Sequence, residues 1–236
     1  METPGQESSH PRAASIGPHF VNRLTHDLRV PFAAVRSALY LLERHGQHVS
    51  GPREKKWLEA AGSSLSSFER LLRAVDIHVQ TLTYNCPQAP SCDLHEVINS
   101  SLALAQDTNA NQPAVFSWDP RVDLIQPFDG NMILTAVRQL LDNAMRHASV
   151  GKPPEIKVIG SGVAWEIAVI NDGPVIPESE RPKLFTPFFH SQSHLGEQGP
   201  GLGLSTAALA AAKAGCDLTY ERIGPRSFFV LRPRPA

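Results

Sequence analysis

The chain has 236 residues, 42% apolar and 19% charged, with 22 Lys and Arg against 23 Asp and Glu for a formal net charge of −1. At about 150 residues per domain it holds one or two domains with a substantial core, and the near-neutral balance argues against nucleic acid as a principal partner. Three cysteines (Cys86, Cys92, Cys216) are too few and odd in number for a disulfide framework, and no run resembles a membrane span or signal peptide, so reduced thiols, a cytoplasmic location and no membrane segment are expected.

Residues 1–17, rich in Pro, Ser and Gly, read as a flexible tail. From about Phe20, Val21, Leu28, Val35 and Leu42 recur every seven residues, with Leu24 and Ala38 in the companion seam, which predicts a helix with a narrow apolar stripe. Gly and Pro in residues 45–52 end it. A second helix follows: Leu58, Leu65, Leu72 and Val79 form one series, Ala61, Phe68, Val75 and Leu82 the other. Such a hairpin over 18–84 leaves its stripe exposed, and pairing two of them into a dimeric four-helix bundle would bury it.

Residues 85–92 break the heptads and read as a linker. Beyond it, 93–236 has mixed texture. Helices are predicted over Leu94 to Ala105, Ile133 to Ala148 and from Gly203 to about Ala214; strands over Ala114 to Trp118, Glu155 to Ile159, Ala164 to Ile170, Asp217 to Arg222 and Ser227 to Leu231. Glu155 to Ile159 and Ala164 to Ile170 are placed to pair as a hairpin, and the stretch from there to Gly203, rich in Gly, Pro and Ser, reads as a loop. The fold class is α+β.

Three constellations could carry chemistry. In His26-Asp27-Leu28-Arg29-Val30-Pro31, His26 falls on the helix face turned away from the seam. A neutral imidazole there offers a nucleophilic nitrogen, Asp27 could take a proton or fix the tautomer, and Pro31 removes a helix hydrogen bond beside them. Alone this reads as a solvated histidine; His95-Glu96 is another such pair among ten histidines. On the second constellation, Gln139 and Asn143 share a helix face with Arg146 and His147 one turn on, where an amide oxygen can meet Mg²⁺ and a guanidinium a phosphate. The third joins Asn171-Asp172-Gly173, Leu184-Phe185-Thr186-Pro187-Phe188 and Gly199-Pro200-Gly201-Leu202-Gly203, whose glycines can bare backbone N–H groups to phosphate at a helix start.

In this order and spacing, the motifs make residues 18–236 resemble the core of two-component sensor histidine kinases. That core is a dimerisation and phosphoacceptor hairpin followed by an α/β sandwich ATP-binding domain of the GHKL (gyrase, Hsp90, histidine kinase, MutL) or Bergerat type. The resemblance implies His26 as the residue phosphorylated by ATP and Asp27 as its acid/base partner. The phosphoryl group would then pass to an aspartate on a response-regulator receiver domain. It implies Asn143 as the Mg²⁺ ligand, Gln139, Arg146 and His147 as nucleotide contacts, Asn171 and Gly173 as the adenine-side box, and Gly199, Gly201, Leu202 and Gly203 as the box closing the ATP lid. Phe185 and Phe188 match an aromatic box that supports the lid.

This sequence departs from the family pattern in several places. Asn171 stands where Asp is usual, with an amide oxygen still able to accept from adenine. Val175 replaces a glycine, and the lid residues 190–198 contain no Lys or Arg. Val30 stands where Thr or Asn orients water, which predicts weak dephosphorylation of the regulator. Gln139 cannot serve as the base that a glutamate supplies in the ATP-hydrolysing relatives, which favours transfer to histidine over a gyrase- or chaperone-like ATPase. The alternative is a non-kinase histidine phosphotransfer or scaffold protein with a degenerate nucleotide domain, motivated by Val175 and the uncharged lid. With only about 18 residues ahead of the hairpin, the signal is expected from a separate sensor protein, or else the chain is a piece of a longer one.

Overall fold

The computed structural model describes residues 18–45, 52–86, 90–108, 114–149, 151–191 and 199–235. The tail, the turn between the first two helices, the middle of the linker and the centre of the lid lie outside the described residues. The N-terminal part is a pair of helices, α1 (Pro18–His45) and α2 (Pro52–Thr83), packed against each other. Helix α1 runs on through Pro31. Burial only partly follows the heptad series: Ala38 is buried, as is Leu71, which belongs to neither series of α2, whereas Val21, Leu58, Leu65 and Leu72 stay about half exposed.

The C-terminal part is a two-layer arrangement of helices on a mixed sheet. Helix α3 (Leu94–Thr108) begins beside Asp93, whose carboxylate accepts from the Glu96 N–H at 3.0 Å. Helix α4 (Gly130–His147) is capped by Asp129, which accepts from the N–H groups of Asn131 and Met132. A two-stranded pair, β1 (Cys92–Asp93) with β3 (Ile125–Gln126), lies beside the main sheet. The main sheet contains β2 (Val115–Trp118), β4 (Glu155–Ser161), β5 (Ala164–Asp172), β6 (Cys216–Ile223) and β7 (Arg226–Pro233) in the order β2-β4-β5-β7-β6. Only the β2–β4 pairing is parallel.

Alternation in the strands assigns the faces. Trp165, Ile167 and Val169 of β5 and Phe229 and Leu231 of β7 point into the main core, against α3, α4 and α5 (Gly203–Lys213). Ala168, Ile170 and Val230 form a smaller cluster on the other face. Trp165 is fully enclosed, and its indole N–H donates to Gln126 Oε1 at 3.1 Å, so the largest apolar side chain leaves no polar atom unmet. The strands and helices predicted from sequence are all present. The two-residue strands β1 and β3 and a short 3-10 helix, Glu178–Lys183, are additional.

Several contacts among the described residues join the hairpin to the sheet domain. Tyr84, just past α2, donates to Asp129 at 2.9 Å while its carbonyl accepts from Lys213. His78 bonds Thr206 at the start of α5. Phe20 packs on Phe188 and Leu202. The three cysteines are free thiols, and burial pushes that of Cys216 up to about 12. Among the described residues, no helix is long and apolar enough to cross a membrane.

Candidate functional site

Helix α4 owes its placement to its inner face, where Ile133, Ala136, Val137, Leu140, Leu141 and Ala144 are buried. The opposite face therefore carries Gln139, Asn143, Arg146 and His147 outward, one turn apart. They meet the end of β5 and the segment before α5 around a cleft of about 600 Å³, lined by these four residues together with Asn171, Gly173, Gly199, Gly201 and Gly203. Leu202 lies beneath this floor, fully buried, with its carbonyl accepting from Ser205, Thr206 and the Thr206 N–H.

Backbone approaches hold glycine at two of these positions, Gly201 and Gly173. Gly201 has φ +71°, and a β-carbon there would lie 2.8 Å from Phe188 Cα; the Phe188 N–H donates to the Gly201 carbonyl at 2.7 Å, and Phe188 itself takes φ 61°. At Gly199 a side chain would run into the Arg146 guanidinium. At Gly173 it would meet the Asn171 amide nitrogen and the His147 carbonyl, 2.7 and 2.8 Å away. Bare backbone thus lines the cleft on two sides, leaving N–H groups at a helix start within reach of an anion.

Asn171 is only 4% exposed, and its Oδ1 is buried with no hydrogen-bond partner. A buried acceptor without a donor is costly, and one that lines a cleft suits a ligand that brings its own N–H, as an adenine amino group does. Arg222 braces the strand end beside it, donating to Ser227 Oγ at 2.9 Å and to the Gly173 carbonyl at 3.2 Å. Val175 is 61% exposed and does not line the cleft, so its departure from glycine leaves the cavity open.

The charged lining is arginine-rich. Arg138, Asp142 and Arg146 repeat every fourth residue of α4, and Arg70 and Arg73 reach the same cleft from α2. Burial pushes the Asp142 carboxyl up, against the pull of Arg138 and Arg146, and its Oδ1 is unpartnered. Desolvation draws the Arg146 guanidinium down, with Asp142 opposing and Arg70 adding to the effect. The spacing of Arg138 and Asp142 was readable from the helix; Arg70 and Arg73 had no local signal pointing to a ligand. Among the described residues, no group of three or more His, Cys, Asp or Glu could hold a metal. A cation here would depend on Asn143 together with phosphate oxygens and water.

His26 and Asp27 lie outside the cleft, on α1. The His26 side chain is 69% exposed, and its Nδ1 is 2.9 Å from Asp27 Oδ1, while Arg23 Nε donates to the other oxygen of Asp27 at 3.1 Å. Asp27 lines a second cavity of about 370 Å³ between the hairpin and His190, Gly199 and Pro200. This cavity shares Arg70, His190, Gly199 and Pro200 with the cleft, so the two spaces adjoin. Phe188 supports the lid's end as part of the Phe20 and Leu202 cluster, and Phe185 packs against the main core.

Residues 128–235 match the family of histidine kinase-, DNA gyrase B- and HSP90-like ATPases. The sensor histidine kinase GlrK of Escherichia coli K12 is 28% identical over 200 residues, covering 80% of this chain and 40% of its own. Among solved structures, the histidine kinase ThkA, in complex with response regulator protein TrrA, superposes with a TM-score of 0.74 at 20% identity over 92% of this chain and 61% of that one. The Acinetobacter baumannii histidine kinase AdeS gives 0.64 at 18% identity over 88% and 96%. These two likenesses speak to the fold alone. The chain spans between 21% and 42% of the length of three curated sensor proteins that it matches.

Proposed function

We propose, from the premise that the chain holds a two-component histidine kinase core, that it is an ATP-dependent protein-histidine kinase that phosphorylates its own His26. The group then passes to an aspartate of a response-regulator receiver domain, as befits a fold shared with ThkA, which was solved with such a regulator. The same reading takes the hairpin as a homodimer interface and the protein as cytoplasmic, receiving its signal from a separate sensor protein. The observation that carries it is the convergence of motif residues from three separate segments on one cleft that adjoins the cavity beside Asp27.

In this reading Asn171 Oδ1 accepts from the adenine amino group, and the glycine-lined floor, Arg146 and His147 hold the phosphates. Asn143 is the chain's ligand to Mg²⁺, which when bound supplies charge neutralisation at the phosphates. Asp27 accepts from the Nδ1–H of His26 and so leaves the Nε2 lone pair free. The new bond joins Nε2 to the γ-phosphorus as the bond to the β–γ bridging oxygen breaks, ADP leaves, and Asp27 stabilises or takes the Nδ1 proton as the ring becomes positive. Gln139, whose Oε1 would lie 3.3 Å from a β-carbon at Gly203, is an amide and supplies no general base for hydrolysis.

The test is incubation with Mg²⁺ and γ-labelled ATP. An acid-labile, alkali-stable label is expected, lost in His26→Ala and strongly reduced in Asn143→Ala. Absence of label together with absence of nucleotide binding would favour the histidine phosphotransfer or scaffold alternative, and label that persists in Asn143→Ala would remove the metal assignment.

A further inference from the structure

The cleft's charge does not come from the sheet domain alone. Helix α2 presents Arg70, Arg73, Ala74 and Ile77 to it, the i, i+3, i+4, i+7 spacing of a single helix face. The cleft's charged lining is four arginines against Asp142, in a chain of net charge −1. On α4, Asp142 stands one turn from both Arg138 and Arg146 and offsets much of their charge. The arginines of α2 lie outside the span that matches the ATPase family.

We propose that Arg70, supplied by the phosphoacceptor hairpin, is the contact for the terminal phosphate of the bound nucleotide, with Arg73 in a lesser supporting role. The proposal rests on the nucleotide reading above and deepens it. Arg70 sits where the cleft and the Asp27 cavity meet, sharing that junction with His190, Gly199 and Pro200. Arg146 lies against Gly199 at the same place, so two guanidinium groups border the position that a phosphate chain reaches as it runs from Asn171 toward His26. Their mutual repulsion, which contributes to drawing the Arg146 guanidinium down, is relieved by an anion between them. Arg70 donates to the hydroxyl of Ser67 at 3.0 Å, and Arg73 shares its charge with Glu69 at 3.3 Å.

A contact to the terminal phosphate distinguishes ATP from ADP, and because it comes from α2 it draws the hairpin onto the loaded domain. The experiment is equilibrium binding to the full chain of ADP and of an ATP analogue with a non-hydrolysable β–γ bridge, each with Mg²⁺. Arg70→Gln is expected to weaken the analogue about tenfold and ADP less than about twofold, the scale of one charge-assisted hydrogen bond. Arg70→Lys keeps the charge and recovers part of the loss; Arg73→Gln has the smaller effect. Rising salt narrows the preference of the wild type for the ATP analogue more than that of Arg70→Gln. Arg70 is exposed, so an unchanged melting temperature certifies the variant's fold. Equal weakening of both nucleotides, or of neither, overturns the Arg70 assignment and leaves the nucleotide reading standing. A wild type that binds neither nucleotide overturns both.

Discussion

His78 of α2 and Thr206 of α5 are 128 residues apart and hydrogen-bonded, Nδ1 to Oγ1 at 2.9 Å, in the buried seam between hairpin and sheet domain. The Thr206 hydroxyl gives its single proton to the Leu202 carbonyl at 2.8 Å, so His78 must be the donor through Nδ1–H. The other face of the ring stacks on Phe20, 5.5 Å between centroids and 17° from parallel. Phe20 in turn touches Phe188, whose N–H holds the Gly201 carbonyl. A hydrogen bond and two ring contacts therefore tie the first turn of α1, the C-terminal end of α2 and the glycine-rich floor of the cleft together.

This seam should be sensitive to acid. Burial lowers the His78 pKa below 6.5, so the folded state keeps the ring neutral where an unfolded chain begins to protonate it. The unfolded state then binds more protons, and stability is full above about 6.5 and falls as the pH drops toward the lowered value. Melting temperatures of the wild type and His78→Gln are expected to converge as the pH falls from 7.5 to 5.5, because only the wild type carries this buried ring. Parallel pH profiles would refute the assignment.

Two glycines with nearly the same backbone angle should respond differently to alanine. Gly215, φ +74°, follows α5 and has nothing within 4 Å of an added β-carbon. Gly215→Ala is expected to cost about 1 kcal/mol of stability, the left-handed penalty, with nucleotide affinity unchanged. Gly201 adds a 2.8 Å approach to Phe188 Cα and 2.9 Å to His190 Cε1, so Gly201→Ala should cost at least about 2 kcal/mol and reduce affinity as well, because the floor itself must move. Denaturant titration with nucleotide binding on the same samples checks both.

The strands were readable where burial is one-sided or continuous: Trp165, Ile167 and Val169 on one face and Ala168 and Ile170 on the other give β5 an apolar run of strand length. Strands β1 and β3 were not, since two residues carry no period and are defined by the pairing of Cys92 with Gln126 and Asp93 with Ile125. The segment Glu178–Lys183, with a proline inside, read as loop for the same reason. Asn143, Asn171 and the glycines stood out in the sequence because each motif presents several groups locally, and the fold brings them to one cleft. Arg70 and Arg73 look like any solvated helix face until α2 docks on α5 and brings them to the cleft that α4 also lines; what they do is a property of the packing.

Asn171 should show stability and binding moving in opposite directions. Its unpartnered Oδ1 is a buried acceptor, and such a group costs about 1–3 kcal/mol in the free protein. Asn171→Leu, of similar size and without polar atoms, is expected to melt no lower than the wild type. It should also bind ATP about tenfold more weakly, through loss of one hydrogen bond to adenine. A variant that melts lower and binds as well as the wild type would mean that Asn171 serves the fold instead.

The proposed homodimer rests on one stripe. Leu58, Leu65 and Leu72 follow each other at seven-residue intervals on α2 and are 46%, 51% and 45% exposed, although heptad leucines on a soluble helix belong in a seam. Burying the exposed half of each yields about 1 kcal/mol, so two copies contribute about 6 kcal/mol across a symmetric bundle before Val21 and the other exposed apolar residues of α1 are added. In Leu65→Glu with Leu72→Glu, two carboxylates per chain would enter that seam, where desolvation and mutual repulsion oppose pairing. Sedimentation velocity is expected to find the wild type as a dimer at micromolar concentration and the double variant as a monomer with unchanged helix content. A monomeric wild type would show that the stripe serves some other contact.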